Sequence, residues 1–208
     1  MGIYLELSKV QVKLVFKNSL FLTILFLGLT PVIFGVKNLD SIAVAMVLER
    51  YISLIGILLL TPLFVPEQNE NTSELVEARK VPMTRVYGVR LIMGSMFLLA
   101  LICIAVGVLR LNNCRFPVIE FLFGTFITAF FLGNLGFIAF GFSKNIAVGY
   151  LIPLTYYILN YAMGKKLGKG YLFSLAIGSM EEKYWLLGVT SIIILVVFGY
   201  EYVIRRIR

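Results

Sequence analysis

The chain contains no histidine, and its only aspartate is Asp40. Most hydrolytic chemistry inside membranes draws on His, or on paired Asp, as acid, base or metal ligand. A His-ligated metalloprotease, a Ser–His protease and an aspartyl protease are therefore excluded by count. Charge is also scarce. Only 14% of residues are Asp, Glu, Lys or Arg, against 60% hydrophobic residues and a mean hydropathy of +0.93. A soluble domain carries nearly twice that share of charge. Cysteine is limited to Cys103, inside an apolar run, and Cys114, in a loop. Two cysteines make no disulfide framework, and free thiols are expected. No G-x-x-x-x-G-K-[ST] occurs, so the chain does not hold ATP phosphates by that loop. The stretch Gly164–Gly170 is rich in Gly and Lys but lacks the spacing and the Ser/Thr. It reads as a flexible basic loop at a membrane face.

Long apolar runs fill the space these absences leave. Six of them, Asn18–Val36, Ile42–Val65, Tyr87–Leu109, Ile119–Phe142, Ile146–Met163 and Tyr184–Ile204, cover most of the 208 residues. A hydrocarbon core of ~30 Å needs ~20 residues of helix. The fold expected is an all-α polytopic membrane protein of six transmembrane helices in one domain spanning residues 1–208. The connections leave no room for a separate soluble domain. The first run is long and has no A-x-A-like site after it, so it reads as a retained helix rather than a secretory signal. The net charge of +8 fits Lys and Arg at membrane edges, some touching anionic lipid headgroups, better than a nucleic-acid partner.

With the N-terminus placed inside, eleven Lys and Arg fall on the inner side and eight on the outer. The positive-inside rule then favours both termini inside, by a modest margin. Residues 4–17 carry Lys9, Lys13 and Lys17 four apart, beside Leu7, Val10 and Leu14. That pattern predicts an amphipathic interfacial helix over residues 1–17, with a straight continuation into span one as the alternative. Pro31, Pro62 and Pro153 lie within spans, where neighbours must satisfy the freed carbonyls. Glu49 and Arg50 fall near the outer end of span two. An intramembrane charge is a functional candidate by default, but the apolar stretch from Tyr51 to Val65 is short, so the pair is read as marking the span's edge. Thr125, Ala129 and Gly133, four apart on span four, either let two helices approach closely or recur by chance in a Gly-rich chain. Asn134 and Asn160 should bond across helices. Tyr156, Tyr157 and Tyr161 on span five, and Tyr184 and Trp185 on span six, are placed for an aromatic belt.

Residues 66–86 form the longest polar stretch. Asn71 with Glu74 resembles a capping box opening a short helix from about Thr72 to Lys80, ended before Pro82. Glu67, Glu70, Glu74 and Glu77 fall on one face of such a helix. Four like charges at that spacing repel in isolation, so a basic partner surface is preferred over a merely solvated face. Asn71-Thr72-Ser73 matches a glycosylation sequon, which an inner loop would not use.

This layout resembles a type-2 ABC exporter permease. The resemblance rests on six spans with an amphipathic segment first and a polar helix between spans two and three. A short turn, Phe142–Asn145, joins spans four and five, and a longer segment of about residues 164–183 precedes span six. Locally it rests on Pro66-Glu67, Glu74-Leu75 and Pro82-Met83-Thr84-Arg85, which are similar to the family's coupling region. One departure is visible: the segment before span six is short and Lys-rich, with less room for the family's re-entrant helices.

The resemblance implies a non-catalytic membrane subunit forming half of a translocation path. Its partner is a second permease, identical or related. Power comes from a separate ABC ATPase subunit, which holds the ATP and Mg; this chain holds no cofactor and no metal of its own. Glu67, Glu70, Glu74, Leu75, Glu77 and Arg85 become the ATPase-coupling residues, with Leu75 as apolar anchor. The cargo suited to Phe-rich spans is a hydrophobic or amphipathic peptide, lipid or drug. The location implied is a bacterial cytoplasmic membrane, and the absence of His beside abundant Lys, Ile and Phe hints at an AT-rich bacterial source. Three other functions compete. One is a non-transporting immunity or scaffold protein. Another is the substrate-binding subunit of an energy-coupling-factor importer, which needs a polar outer pocket. The third is a lipid-modifying enzyme left with Glu-only chemistry.

Overall fold

The computed structural model describes residues 17–63 and 83–207, the side chains of 83–87 and 197–207 excepted. The described residues are helical throughout, with no strand among them. Helix α1 runs over Lys17–Phe34 and α2 over Ser41–Leu63; α3 is Met83–Leu111, α4 Val118–Ser143, α5 Ile146–Met163 and α6 Glu181–Ile207. Five stretches are long and apolar enough to cross a membrane: Lys17–Phe34, Ser41–Leu63, Gly88–Leu111, Val118–Ser143 and Ile146–Gly170. The protein is a membrane protein on that ground. The sixth helix, at 27 residues, is about 40 Å long at ~1.5 Å per residue.

The helix boundaries follow from local chemistry. Asp40 opens α2 by accepting the Ala43 N–H at 3.0 Å, and Asn145 opens α5 by accepting the Ala147 N–H at 2.9 Å. Each satisfies one of the donors a helix start leaves unpaired. Between α4 and α5, Lys144 takes the left-handed conformation (φ 51°) and returns its N–H to the Phe140 carbonyl. The expected short turn there is present. Arg90, buried in α3, donates to the Leu63 carbonyl at 2.7 Å. It thereby holds the end of α2 against α3, where the chain leaves and re-enters the described residues. The predicted interfacial helix of residues 1–17 lies outside those residues apart from Lys17, which begins α1.

Helix α4 is the central post, packed on α5, α2, α6 and α3. Close approach explains its position. A Cβ placed on Gly56 of α2 would sit 1.8 Å from the Ala129 carbonyl oxygen of α4, and one on Gly133 would sit 2.5 Å from the Gly56 oxygen. Lower on the same helix, a Cβ on Gly136 would meet the Thr61 hydroxyl oxygen at 2.2 Å and the Gly149 oxygen of α5 at 2.9 Å. The small-residue reading of Ala129 and Gly133 therefore describes a true helix contact. Thr125 belongs to it less directly, bonding back to the Phe121 carbonyl of its own helix. The outward faces of α1 and α5 carry large exposed apolar side chains such as Phe21, Val32, Leu151 and Ile158, as lipid-facing helices do.

Candidate functional site

Glu49 and Lys183 are both fully buried, and they pair at 2.5 Å. The edge reading of Glu49 is overturned by this geometry. The residue lies eight positions into α2, about 12 Å from its start at ~1.5 Å per residue, and faces the interior. Its helix carries a π turn over Val47–Tyr51. Such a turn inserts one residue into the register and is frequent at functional positions. Glu49 and Arg50 both sit within it.

The segment between α5 and α6 closes over Glu49. It consists of two 3-10 helices, Gly164–Gly170 and Leu175–Ile177. The basic loop expected over Gly164–Gly170 takes short 3-10 turns broken at Gly168, where φ is 56°. Leu172, Phe173, Ser174 and Leu175 are all buried, so the segment folds back into the bundle despite its short length. The Leu175 N–H reaches both carboxylate oxygens of Glu49 at 3.0 and 3.1 Å, and the Ala176 N–H reaches one at 3.4 Å. Lys183 spends all three ammonium protons. One goes to Glu49, one to the Thr128 hydroxyl of α4 at 2.7 Å and one to the Leu172 carbonyl. An ammonium has three donors and no acceptor, so the network is closed. It joins α2, α4, α6 and the folded-back segment around one buried ion pair. The arrangement works as a clasp between these elements. The Ser174 hydroxyl beside it is buried without a partner.

Two further bonds fasten the segment to α5. Tyr156 donates its hydroxyl to the Gly170 carbonyl at 2.6 Å, and the Asn160 side-chain oxygen accepts the Leu172 N–H at 2.8 Å. Asn160 thus bonds across to the segment, whereas Asn134 donates within its own helix, to Phe130. The predicted aromatic belt on α5 turns out to be partly structural: Tyr157 donates to the Arg50 carbonyl at 2.5 Å, while Tyr161, Tyr184 and Trp185 are exposed. Phe173 is ringed edge-on by Tyr157, Tyr161 and Tyr171 at centroid distances of 5.4, 6.4 and 5.9 Å. Burial pushes the Tyr171 hydroxyl up from its ordinary value, and the nearby Arg50 charge opposes that rise. Replacing Asn160 with Leu is expected to cost about 1–3 kcal/mol, the usual penalty for stranding a buried N–H, measured as a lowered unfolding midpoint in detergent.

At the start of α2, beyond Glu49, an open groove of about 990 Å³ is lined by Asn38, Asp40, Ser41, Arg110, Asn113 and Arg115. Two of its polar groups already have local partners: Asp40 caps α2, and Arg110 donates to the Cys114 carbonyl at 3.3 Å. Cys103 and Cys114 are free thiols. No group of three or more His, Cys, Asp or Glu able to hold a metal occurs among the described residues.

Of the sequence-predicted coupling residues, Glu67, Glu70, Glu74, Leu75 and Glu77 lie outside the described residues. Arg85 lies in the first turn of α3, with its side chain outside them. The structure instead brings together Glu49, Thr128, Asn160 and Lys183. Intramembrane charge flagged Glu49 in the sequence; nothing flagged its partner, because Lys183 adjoins Glu181 and Glu182 and reads as a solvated helix start. Compared with family models, curated proteins and solved structures, the chain matches none.

Proposed function

We propose that the chain is the permease subunit of an ATP-driven exporter of the type-2 ABC kind. It would form half of a path for a hydrophobic or amphipathic cargo. The observation that carries this reading is the folded-back segment between α5 and α6. The short length of that segment was the chief departure from the family's pattern, yet it buries Leu172–Leu175 in the bundle, where that family has re-entrant helices. The six-helix order supports the same reading. So does Arg90, which fastens α2 to α3 beside the 66–86 segment proposed for coupling. Under this reading both termini and the 66–86 segment face the cytoplasm, and the clasp closes the opposite end. A second permease and a separate ATPase, carrying ATP and Mg, complete the transporter.

The test is a pull-down of the tagged full chain from its native membranes, with the co-purifying proteins identified by mass. A stoichiometric P-loop ATPase is expected. Glu74→Lys with Glu77→Lys is expected to release it and to abolish transport-linked ATP hydrolysis, while the permease stays inserted at normal level. No ATPase, under conditions that keep a known transporter complex intact, rejects the exporter in favour of an immunity or scaffold role. An ATPase that survives the double reversal moves the contact away from 67–77.

A further inference from the structure

Arg50 is a charged side chain left over by the clasp. Its neighbour Glu49 is committed to Lys183, and among the described residues no carboxylate pairs with Arg50 and no acceptor takes its guanidinium N–H groups. The guanidinium carbon lies 5.1 Å from the ring centre of Tyr161 and 5.7 Å from that of Phe173. These rings stabilise the charge but leave the in-plane donors of the fork unused. The Tyr157 hydroxyl fixes the Arg50 backbone, so the cation is held in place on an aromatic shelf. An intramembrane cation of this kind calls for an anion.

The surroundings of the shelf specify what kind of anion. Tyr161 and Ile158 are each 62% exposed and Leu154 is 38% exposed. Their spacing of four and three residues puts them on one outward stripe of α5. An apolar track therefore runs along the helix from the charged shelf toward the membrane interior. Lys165 and Lys166 follow α5 immediately and are exposed, adding attraction for a negative headgroup. A small hydrophilic anion would leave the track empty; a lipid uses both parts.

We propose that Arg50, on its shelf of Tyr161 and Phe173, binds the phosphate of an anionic membrane phospholipid whose acyl chain lies along Leu154, Ile158 and Tyr161. The site stands independently of the exporter reading, since it requires neither an ATPase nor a cargo.

The experiment is native mass spectrometry of the full-length chain released from nanodiscs containing equal phosphatidylglycerol and phosphatidylcholine, paired with thermal unfolding in detergent with each lipid added. The wild-type chain is expected to retain phosphatidylglycerol through delipidation and to unfold at a higher temperature with it. Arg50→Gln should lower retention at least tenfold and remove the thermal shift. Tyr161→Leu, which keeps the apolar track and the cation but takes away a ring, should lower retention several-fold. This second variant keeps the test decisive if Arg50→Gln folds poorly. Arg110→Gln, in the groove at the start of α2, should change nothing. Equal retention in wild type and both site variants overturns the proposal. So does equal retention of the two lipids by the wild-type chain, which would remove the role of net charge. Inorganic phosphate reproducing the full thermal shift would identify a free anion as the ligand and overturn the lipid assignment.

Discussion

Replacing Lys183 with Met is expected to destabilise the folded chain by about 3–5 kcal/mol, the usual consequence of stranding one member of a buried ion pair. Met keeps most of the side-chain volume, so packing around the site is little changed. What is lost is the cation 2.5 Å from a fully buried carboxylate, together with the donor to Thr128 and Leu172. The Leu175 and Ala176 amides remain on Glu49 but do not neutralise it. The double variant Glu49→Gln with Lys183→Met should recover most of the loss, because no net charge is then buried and the Gln oxygen still accepts the Leu175 N–H. The exchange Glu49→Lys with Lys183→Glu should not recover it. An ammonium at position 49 has no lone pair for two backbone amides, so restored attraction is outweighed by stranded donors. Unfolding midpoints in detergent for the wild-type chain, Glu49→Gln, Lys183→Met and their double variant make a double-mutant cycle. A loss in the double variant equal to the sum of the two single losses would show that the pair contributes no coupling. Full rescue by the exchange would reduce the clasp to simple attraction between opposite charges.

The contrast between the helices and this clasp shows what an apolar sequence discloses. Helix positions were legible because the bilayer imposes one length and one polarity on every span. The apolar run Ile119–Phe142 lies within α4 at Val118–Ser143, and Ile146–Met163 is matched to the residue by α5. The small-residue spacing on α4 also located half of the α2 contact. Its other half, Gly56, sits in a run of Leu and Ile with no small partner four residues away, so periodicity gave no sign of it. The clasp was harder to see for two reasons. The π turn at Val47–Tyr51 follows from no residue type, yet it sets the direction in which Glu49 and Arg50 point. And Lys183 is 134 positions from Glu49 in sequence, within an acidic helix start that looks exposed. Only the folding back of residues 171–180 brings that helix start inside the bundle. Leu172, Phe173 and Leu175 are apolar, but the preceding Lys-rich stretch pointed to a surface loop.

Adding a single methyl at Gly56 should be among the most damaging small changes available in this chain. The new Cβ would lie 1.8 Å from the Ala129 oxygen and 2.5 Å from the Ala129 carbonyl carbon. Both are backbone atoms of the central helix, and no rotamer change relieves the overlap; α2 and α4 must separate. Ordinary overpacking costs about 1–3 kcal/mol, and Gly56→Ala is expected at or above the top of that range, with Gly56→Val larger still. Gly107→Ala in α3 is the matched control, because nothing lies within 4 Å of its Cβ position. Helix propensity alone should make that change neutral or stabilising by up to ~1 kcal/mol. Similar unfolding midpoints for the two alanine variants would refute the close packing of α2 on α4. A further consequence follows from chain geometry. Thr128 precedes Ala129 on α4, and it accepts from Lys183, so any separation of α2 from α4 draws Thr128 and Glu49 apart. Gly56→Ala and Lys183→Met should then combine to less than the sum of their separate effects, since the first already loosens what the second removes. Strict additivity would mean that the helix contact and the clasp are independent, and that Thr128 serves Lys183 without depending on how closely α2 is packed.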